Sequence, residues 1–427
     1  MIESTRPRPH SRARSLAFGC AAVLGAAVLL AGCGGGPPKA RVEEQQQLRE
    51  FASRGYAPQG EPVTTQPILW RMRGDDVRLT LTMPTNAGTT AGTTPRPVVV
   101  YLPGLGESDT AGIRWRRAWA AAGYAVLSLQ PLDDDANAWS SELARSAEFT
   151  ELGRRHYADA QMRKRLTRLD ELLAEAQRLG RQGPGQGQNQ LPGQGDAPWR
   201  SLDWSKTVVA GYELGAQTAM AVAGERQPDG SVLALKSVQP VAAIVISPQV
   251  FAQPDAARYR ELAVPVLGLT GPDDSDVLGL VRDVQWRQAP FAAMPAGRGW
   301  LLSVNEVRHA ALGGNEPRPE DAEREQKRIR AAEEQEQSQP QGRRGGGGRG
   351  GRGQEGPTRM APVPAVPDYR QLHEQQLGMT AAQQVSVAFL DWQLKRSDTA
   401  RGWLGTPADS WMRGVGVLAS SKDGRRD

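Results

Sequence analysis

The chain has 427 residues, enough for one large domain or two ordinary ones, and 48 Gly and 31 Pro gathered in a few tracts that cannot be core. Its formal charge is +5, but Arg6, Arg8, Arg12 and Arg14 stand against only Glu3 in the first 32 residues, so the remainder is close to neutral. That balance removes the electrostatic reason to expect nucleic acid as the main partner.

Residues 1–32 read as a signal segment. A basic stretch precedes the apolar run Leu16–Leu30, which is short for a membrane span and closely followed by Gly and Pro. The run closes on Leu30-Ala31-Gly32-Cys33, which resembles the bacterial lipobox. That resemblance implies that Cys33 is lipidated and becomes the first residue of the mature chain, with residues 33–60 as anchor and tether. Gly34, rather than Asp, follows the cysteine, so the expected address is the periplasmic face of the outer membrane. Cys20 leaves with the signal, so the mature domain has no disulfide and is stabilised by burial.

Downstream, Glu43–Arg54 is polar and helix-prone, and Asp76–Pro84 alternates like a half-buried strand. Six apolar runs then have the length and composition of buried strands: 98–102, 124–129, 207–212, 241–247, 264–271 and 299–304. Continuous apolar runs fit a parallel sheet covered on both faces. Helical segments separate them. One ends at Gly123, one carries Leu166, Leu169 and Leu173 on one face up to Gly180, and a late one carries Val385, Phe389 and Trp392. Strands alternating with helices predict an α/β, doubly wound, mostly parallel sheet over residues 61–314, completed by a docking helix within 368–427. Two stretches break the pattern and are expected to be disordered inserts: the Gly/Pro/Gln segment 181–198 and the charged, Arg/Gly-rich segment 315–367.

Four motifs fall in a recognisable order. Gly211-Tyr212-Glu213-Leu214-Gly215 lies between an apolar strand and a helix rich in small residues. Gly271-Pro272-Asp273-Asp274 ends a strand, His309 follows the last strand, and "YLPGLGES" follows an early one. In this arrangement the chain resembles the α/β-hydrolase superfamily, nearest its dienelactone-hydrolase and platelet-activating-factor acetylhydrolase-like bacterial members. The resemblance implies that 211–215 is the nucleophile elbow, with Gly211 and Gly215 needed for close backbone approach. It implies Asp274 as the acid, with Asp273 and Asp276 as alternatives, His309 as the base, and the N–H groups of Leu105 and Leu214 as the oxyanion hole. Pro103 stands where the family often has His. His156 and His373 read as surface residues in polar helices, and Ser108 is the remaining hydroxyl near the site. No cofactor and no metal enter this reading.

Glu213 occupies the position of the nucleophilic serine. A carboxylate has no proton to pass to the histidine and attacks esters poorly, so direct replacement of serine fails chemically. The first reading is a degenerate hydrolase in which Glu213 pairs with His309. The alternatives are a carboxylate nucleophile for epoxide or halide substrates, or a general base for water attacking an ester or lactone. For the nucleophile, the extra methylene moves the attacking oxygen about 1.5 Å, a displacement worth roughly two orders of magnitude in rate. The Arg/Gly tract with Arg343, Arg344, Arg349 and Arg352 lacks the interleaved aromatics of a nucleic-acid binder. Its expected contacts are solvent or anionic envelope components near the membrane.

Overall fold

The structure is a computed structural model and describes residues 39–56, 60–85, 94–181, 199–250, 255–316 and 369–421. The expected leader, Cys33, the insert at 182–198 and residues 317–367 lie outside the described residues. The chain divides at Gln45, and the unit that carries the sheet is Gln46–Asp427. Among the described residues, no helix is long and apolar enough to cross a membrane.

In chain order the main elements are β1 (Val63–Met72), β2 (Asp75–Pro84), β3 (Arg96–Leu102), α1 (Ile113–Ala121), β4 (Ala125–Leu129), α2 (Phe149–Tyr157), α3 (Asp159–Arg181), β5 (Leu202–Tyr212) and α4 (Leu214–Val222). They continue through β6 (Pro240–Ile246), β7 (Val266–Thr270), β8 (Gly299–Val304), α5 (Tyr369–Lys395) and β9 (Gly416–Ser420). The nine strands form one α/β sheet in the order β1-β2-β4-β3-β5-β6-β7-β8-β9. The central pairings from β4 to β8 are parallel, whereas β1–β2, β2–β4 and β8–β9 are antiparallel.

Side-chain alternation along the strands explains the two-sided cover. On β3, Val98, Val100 and Leu102 pack in one apolar cluster with Leu166, Leu169 and Leu173 of α3. Val99 and Tyr101 point the other way, into a second cluster with Trp115 and Trp119 of α1 and Val385 and Phe389 of α5. Fully burying each large apolar side chain stabilises by about 1.5–3 kcal/mol, so a strand apolar on both faces is secured only between two helical layers. Gly123, at φ 102°, ends α1 in the left-handed conformation that glycine adopts without a steric cost.

Two strands exceed those expected. β1 contains Pro67, which supplies no N–H to a ladder, and it lies at the sheet's edge, where that is tolerated. β9 is five residues long and pairs with β8 at the opposite edge. Helix α3 also runs one residue beyond Gly180, to Arg181.

This topology decides where chemistry can sit. β3 pairs with β4 on one side and β5 on the other, so the connections leaving β3 and β5 diverge. The crevice where they part, at the carboxyl ends of the strands, is where open α/β sheets bind ligands.

Candidate functional site

Four of the sequence-derived site residues lie just beyond strand carboxyl ends: Leu105 after β3, Glu213 after β5, Asp274 after β7 and His309 after β8. Leu102 is paired with Gly211 across β3 and β5, which carries the loop at Leu105 alongside the turn at Glu213.

Glu213 is the single residue between strand β5 and helix α4, with φ 52° and ψ −105°. Such a conformation is rare for a residue with a side chain and gives a sharp strand-to-helix turn with its apex lifted off the sheet. The flanking glycines make the turn possible. A Cβ on Gly211 would lie 2.1 Å from the carbonyl carbon of Gly215, and one on Gly215 would lie 2.0 Å from the carbonyl oxygen of Leu102.

On the other side of the site, Asp274 is fully buried and its Oδ1 lies 2.7 Å from His309 Nδ1. Thr270 Oγ1 donates to Asp274 Oδ2 at 2.7 Å, and Arg287 Nε lies 3.5 Å from the same oxygen. Burial alone would raise the Asp274 pKa, yet the His309 hydrogen bond and the Arg287 charge hold it below the usual carboxylate range. A hydroxyl that the sequence reading passed over joins this group. Ser247, directly after β6, places Oγ 2.7 Å from Asp274 Oδ1 and 3.0 Å from His309 Nδ1. Of the other acids weighed, Asp273 is exposed, and Asp276 accepts the backbone N–H groups of Leu278, Leu280 and Val281.

The Glu213 side chain takes an unexpected direction. The sequence suggested a carboxylate paired with the imidazole. Instead, Oε2 accepts the N–H of Leu105 at 3.3 Å, and no hydrogen bond joins Glu213 to His309 among the described residues. The carboxylate therefore stands on the N–H that the family resemblance assigned to the oxyanion hole. Its Oε1 is buried without a hydrogen-bond partner. Leu105 and Leu214 belong to an apolar cluster with Ala138, Leu152, Tyr157 and Leu278, so the surroundings offer little solvation. Burial accordingly pushes the Glu213 pKa up to about 7; the nearby His309 opposes the shift, while Glu107 adds to it.

Glu107, within the stretch "YLPGLGES", is a second residue for which the sequence carried no signal. Its Oε2 accepts the Gly104 N–H at 2.8 Å and its Oε1 accepts the Asn315 amide at 2.5 Å. Burial raises its pKa as well. Ser108 is exposed and bonded to Thr110, away from Glu213.

His156 corrects an expectation. It is buried, not on the surface, with Nδ1 2.8 Å from Asp135 Oδ1. Arg165 Nε donates to the other oxygen of Asp135 at 2.7 Å. The charged sequence neighbours Arg154 and Arg155 misled because adjacent residues on a helix face different directions. Leu152, Gly153, His156 and Tyr157 share the buried face of α2. His373 is half-buried on α5.

Two cavities, of about 460 and 540 Å³, open elsewhere: one beside Ala216 and Met220 of α4, the other beside Asp75, Asp109 and Asp133. Neither has Glu213, Asp274 or His309 in its wall. Glu213 is 5 % and His309 6 % exposed, so only a small part of either side chain reaches solvent. The arrangement supplies an oriented acid–imidazole pair and, beside it, a buried carboxyl on the Leu105 N–H. No protein-family model matches the chain, and no curated protein matches it.

Proposed function

We propose that the chain is an α/β-hydrolase-fold protein whose hydrolytic site has become a closed, non-catalytic one, held in the cell envelope by lipid on Cys33. The order elbow, acid, histidine along the chain, each after a parallel strand, supports the family reading, as does a loop N–H after β3 facing the apex. The lipid anchor rests on the sequence around Cys33. One observation carries the loss of catalysis. Glu213 Oε2 accepts the Leu105 N–H, so the side chain that replaces the nucleophile also fills the place of the developing oxyanion. A substrate carbonyl would have to displace a carboxyl that can neither act as serine does nor leave the turn.

The test compares the wild-type chain with Glu213→Ser in fluorophosphonate labelling and p-nitrophenyl acetate hydrolysis. The wild type is expected to show neither. Glu213→Ser places a hydroxyl at the apex, vacates the Leu105 N–H and is expected to gain esterase activity of at least about 100-fold over the wild type. Labelling of the wild type would overturn the proposal. A second reading draws on the same carboxyl: with a pKa of about 7, Glu213 suits a general base for water attack. Under that reading the wild type hydrolyses the activated ester without labelling, and Glu213→Gln abolishes the activity.

A further inference from the structure

Six non-glycine residues among those described have positive φ: Arg73, Ala147, Glu213, Ser247, Glu306 and Arg396. Four of them are exposed. The other two, Glu213 and Ser247, are buried, each follows the last residue of a central parallel strand, and both have φ 52°. Such a backbone is strained for any residue with a Cβ, and glycine would adopt it freely. At Ser247 a structural need for the turn would therefore be met better by glycine. The strained residue keeps a hydroxyl at a site with no solvent exposure.

That hydroxyl lies at the junction of the acid and the imidazole. Asp274 is held in its ionised form by its surroundings, so Oδ1 can only accept. It faces His309 Nδ1 at 2.7 Å and Ser247 Oγ at 2.7 Å, and both must present hydrogens to it. Ser247 Oγ–H therefore donates to Asp274 and turns a lone pair toward Nδ1–H, 3.0 Å away. Beneath the turn, buried Arg287 donates to the carbonyls of Ser247, at 3.1 Å, and Pro248, at 2.8 Å, and so holds the strained backbone in place.

We infer that Ser247 is a positioning residue for His309, giving the Nδ1–H that Asp274 accepts a second acceptor and so fixing the ring with Nε2 as the basic nitrogen. The inference rests on reading this site as a hydrolase constellation, but Nδ1–H and its exchange are measured without turnover, so the two can fail separately. The experiment uses the full chain, ¹⁵N-labelled at histidine, with the His309 signals assigned by their loss in His309→Asn. Ser247→Ala removes the hydroxyl at unchanged backbone strain; Ser247→Gly removes it and relieves the strain. Asp274 still accepts Nδ1–H in both variants, so both are expected to keep that tautomer but to speed exchange of Nδ1–H by about 10-fold or more, whatever their stabilities do. In the Glu213→Ser background, Ser247→Ala is expected to lower kcat about 10-fold with KM nearly unchanged. A wild-type His309 without Nδ1–H, or Nδ1–H exchange unmoved in both variants, overturns the inference. An inactive Glu213→Ser chain counts against the hydrolase reading and leaves the exchange measurement to decide the role of Ser247.

Discussion

Glu213 holds a carboxyl where one oxygen has a single backbone donor at 3.3 Å and the other has none. Water would satisfy both oxygens, so folding favours the protonated form, and the pKa rises from about 4.5 to about 7. The sign of the linkage follows. The folded pKa lies above the unfolded one, so the stability linked to this group is complete below about pH 4.5 and is lost as pH rises through 7. At one pKa unit per 1.36 kcal/mol the loss approaches about 3 kcal/mol by pH 8. Glu213→Gln keeps the shape and cannot ionise. Urea unfolding at pH 5 and pH 8 is expected to show the variant gaining on the wild type with pH by an amount of that order. Glu225 also has a pKa of about 7, so the wild-type curve alone mixes two groups and the difference between the proteins is the quantity to read.

The turn between β5 and α4 is the element that makes this geometry possible. α4 presents Ala216, Ala219 and Ala221 as buried positions, small enough for the helix to approach the sheet closely. Its first turn meets backbone at Leu102, so Gly215 has no room for even a methyl group. Gly215→Ala is expected to lose more than about 3 kcal/mol of stability, because a backbone carbonyl cannot move aside as a flexible side chain would. Gly402, exposed on the helix Asp398–Trp403, is the control: a Cβ there meets nothing within 4 Å. Gly402→Ala is expected to be neutral or to stabilise by up to about 1 kcal/mol through helix propensity. Chemical denaturation of the two variants against the wild type separates steric demand from a general penalty on replacing glycine.

At the scale of the molecule, a buried carboxylate joins distant parts of the chain. Asp391, on α5, accepts the hydroxyl of Tyr56 at 2.6 Å and the hydroxyl of Tyr124, and Lys395 Nζ lies 2.8 Å away. Tyr56 precedes β1, and Tyr124 precedes β4, so one side chain binds the start of the sheet unit to its last long helix. Asp391→Ala leaves the buried Tyr124 hydroxyl and the half-buried Tyr56 hydroxyl without this acceptor, while Lys395 keeps the Ala122 carbonyl, and is expected to cost about 3 kcal/mol. Tyr56→Phe is expected to cost only about 1 kcal/mol, and combining it with Asp391→Ala to cost less than the sum, because both remove the same bond. Thermal unfolding of the three proteins checks this.

Elements and their order were legible along the chain, because apolar runs of strand length, glycines at helix ends and small residues after the elbow are local signals. The run Val98–Leu102 requires cover on both faces wherever the strand lies in the sheet, and Gly211 and Gly215 mark a tight turn whatever packs above it. Contacts across the fold had no such signal. β1 and β9 became strands because an edge of the sheet accepted them. His156 was buried by the face of α2 it shares with Leu152 and Tyr157, although its sequence neighbours are charged. Ser247 and Glu107 look ordinary in sequence, and only the convergence of strand ends brings them to the imidazole and the apex. The direction of the Glu213 carboxyl, toward the Leu105 N–H and away from a hydrogen bond with His309, was decided by tertiary structure alone. The sequence determined that a carboxylate stands at the bend; the positions of a donor, a charge and an apolar wall, contributed by separate strands, determined where its oxygens lie.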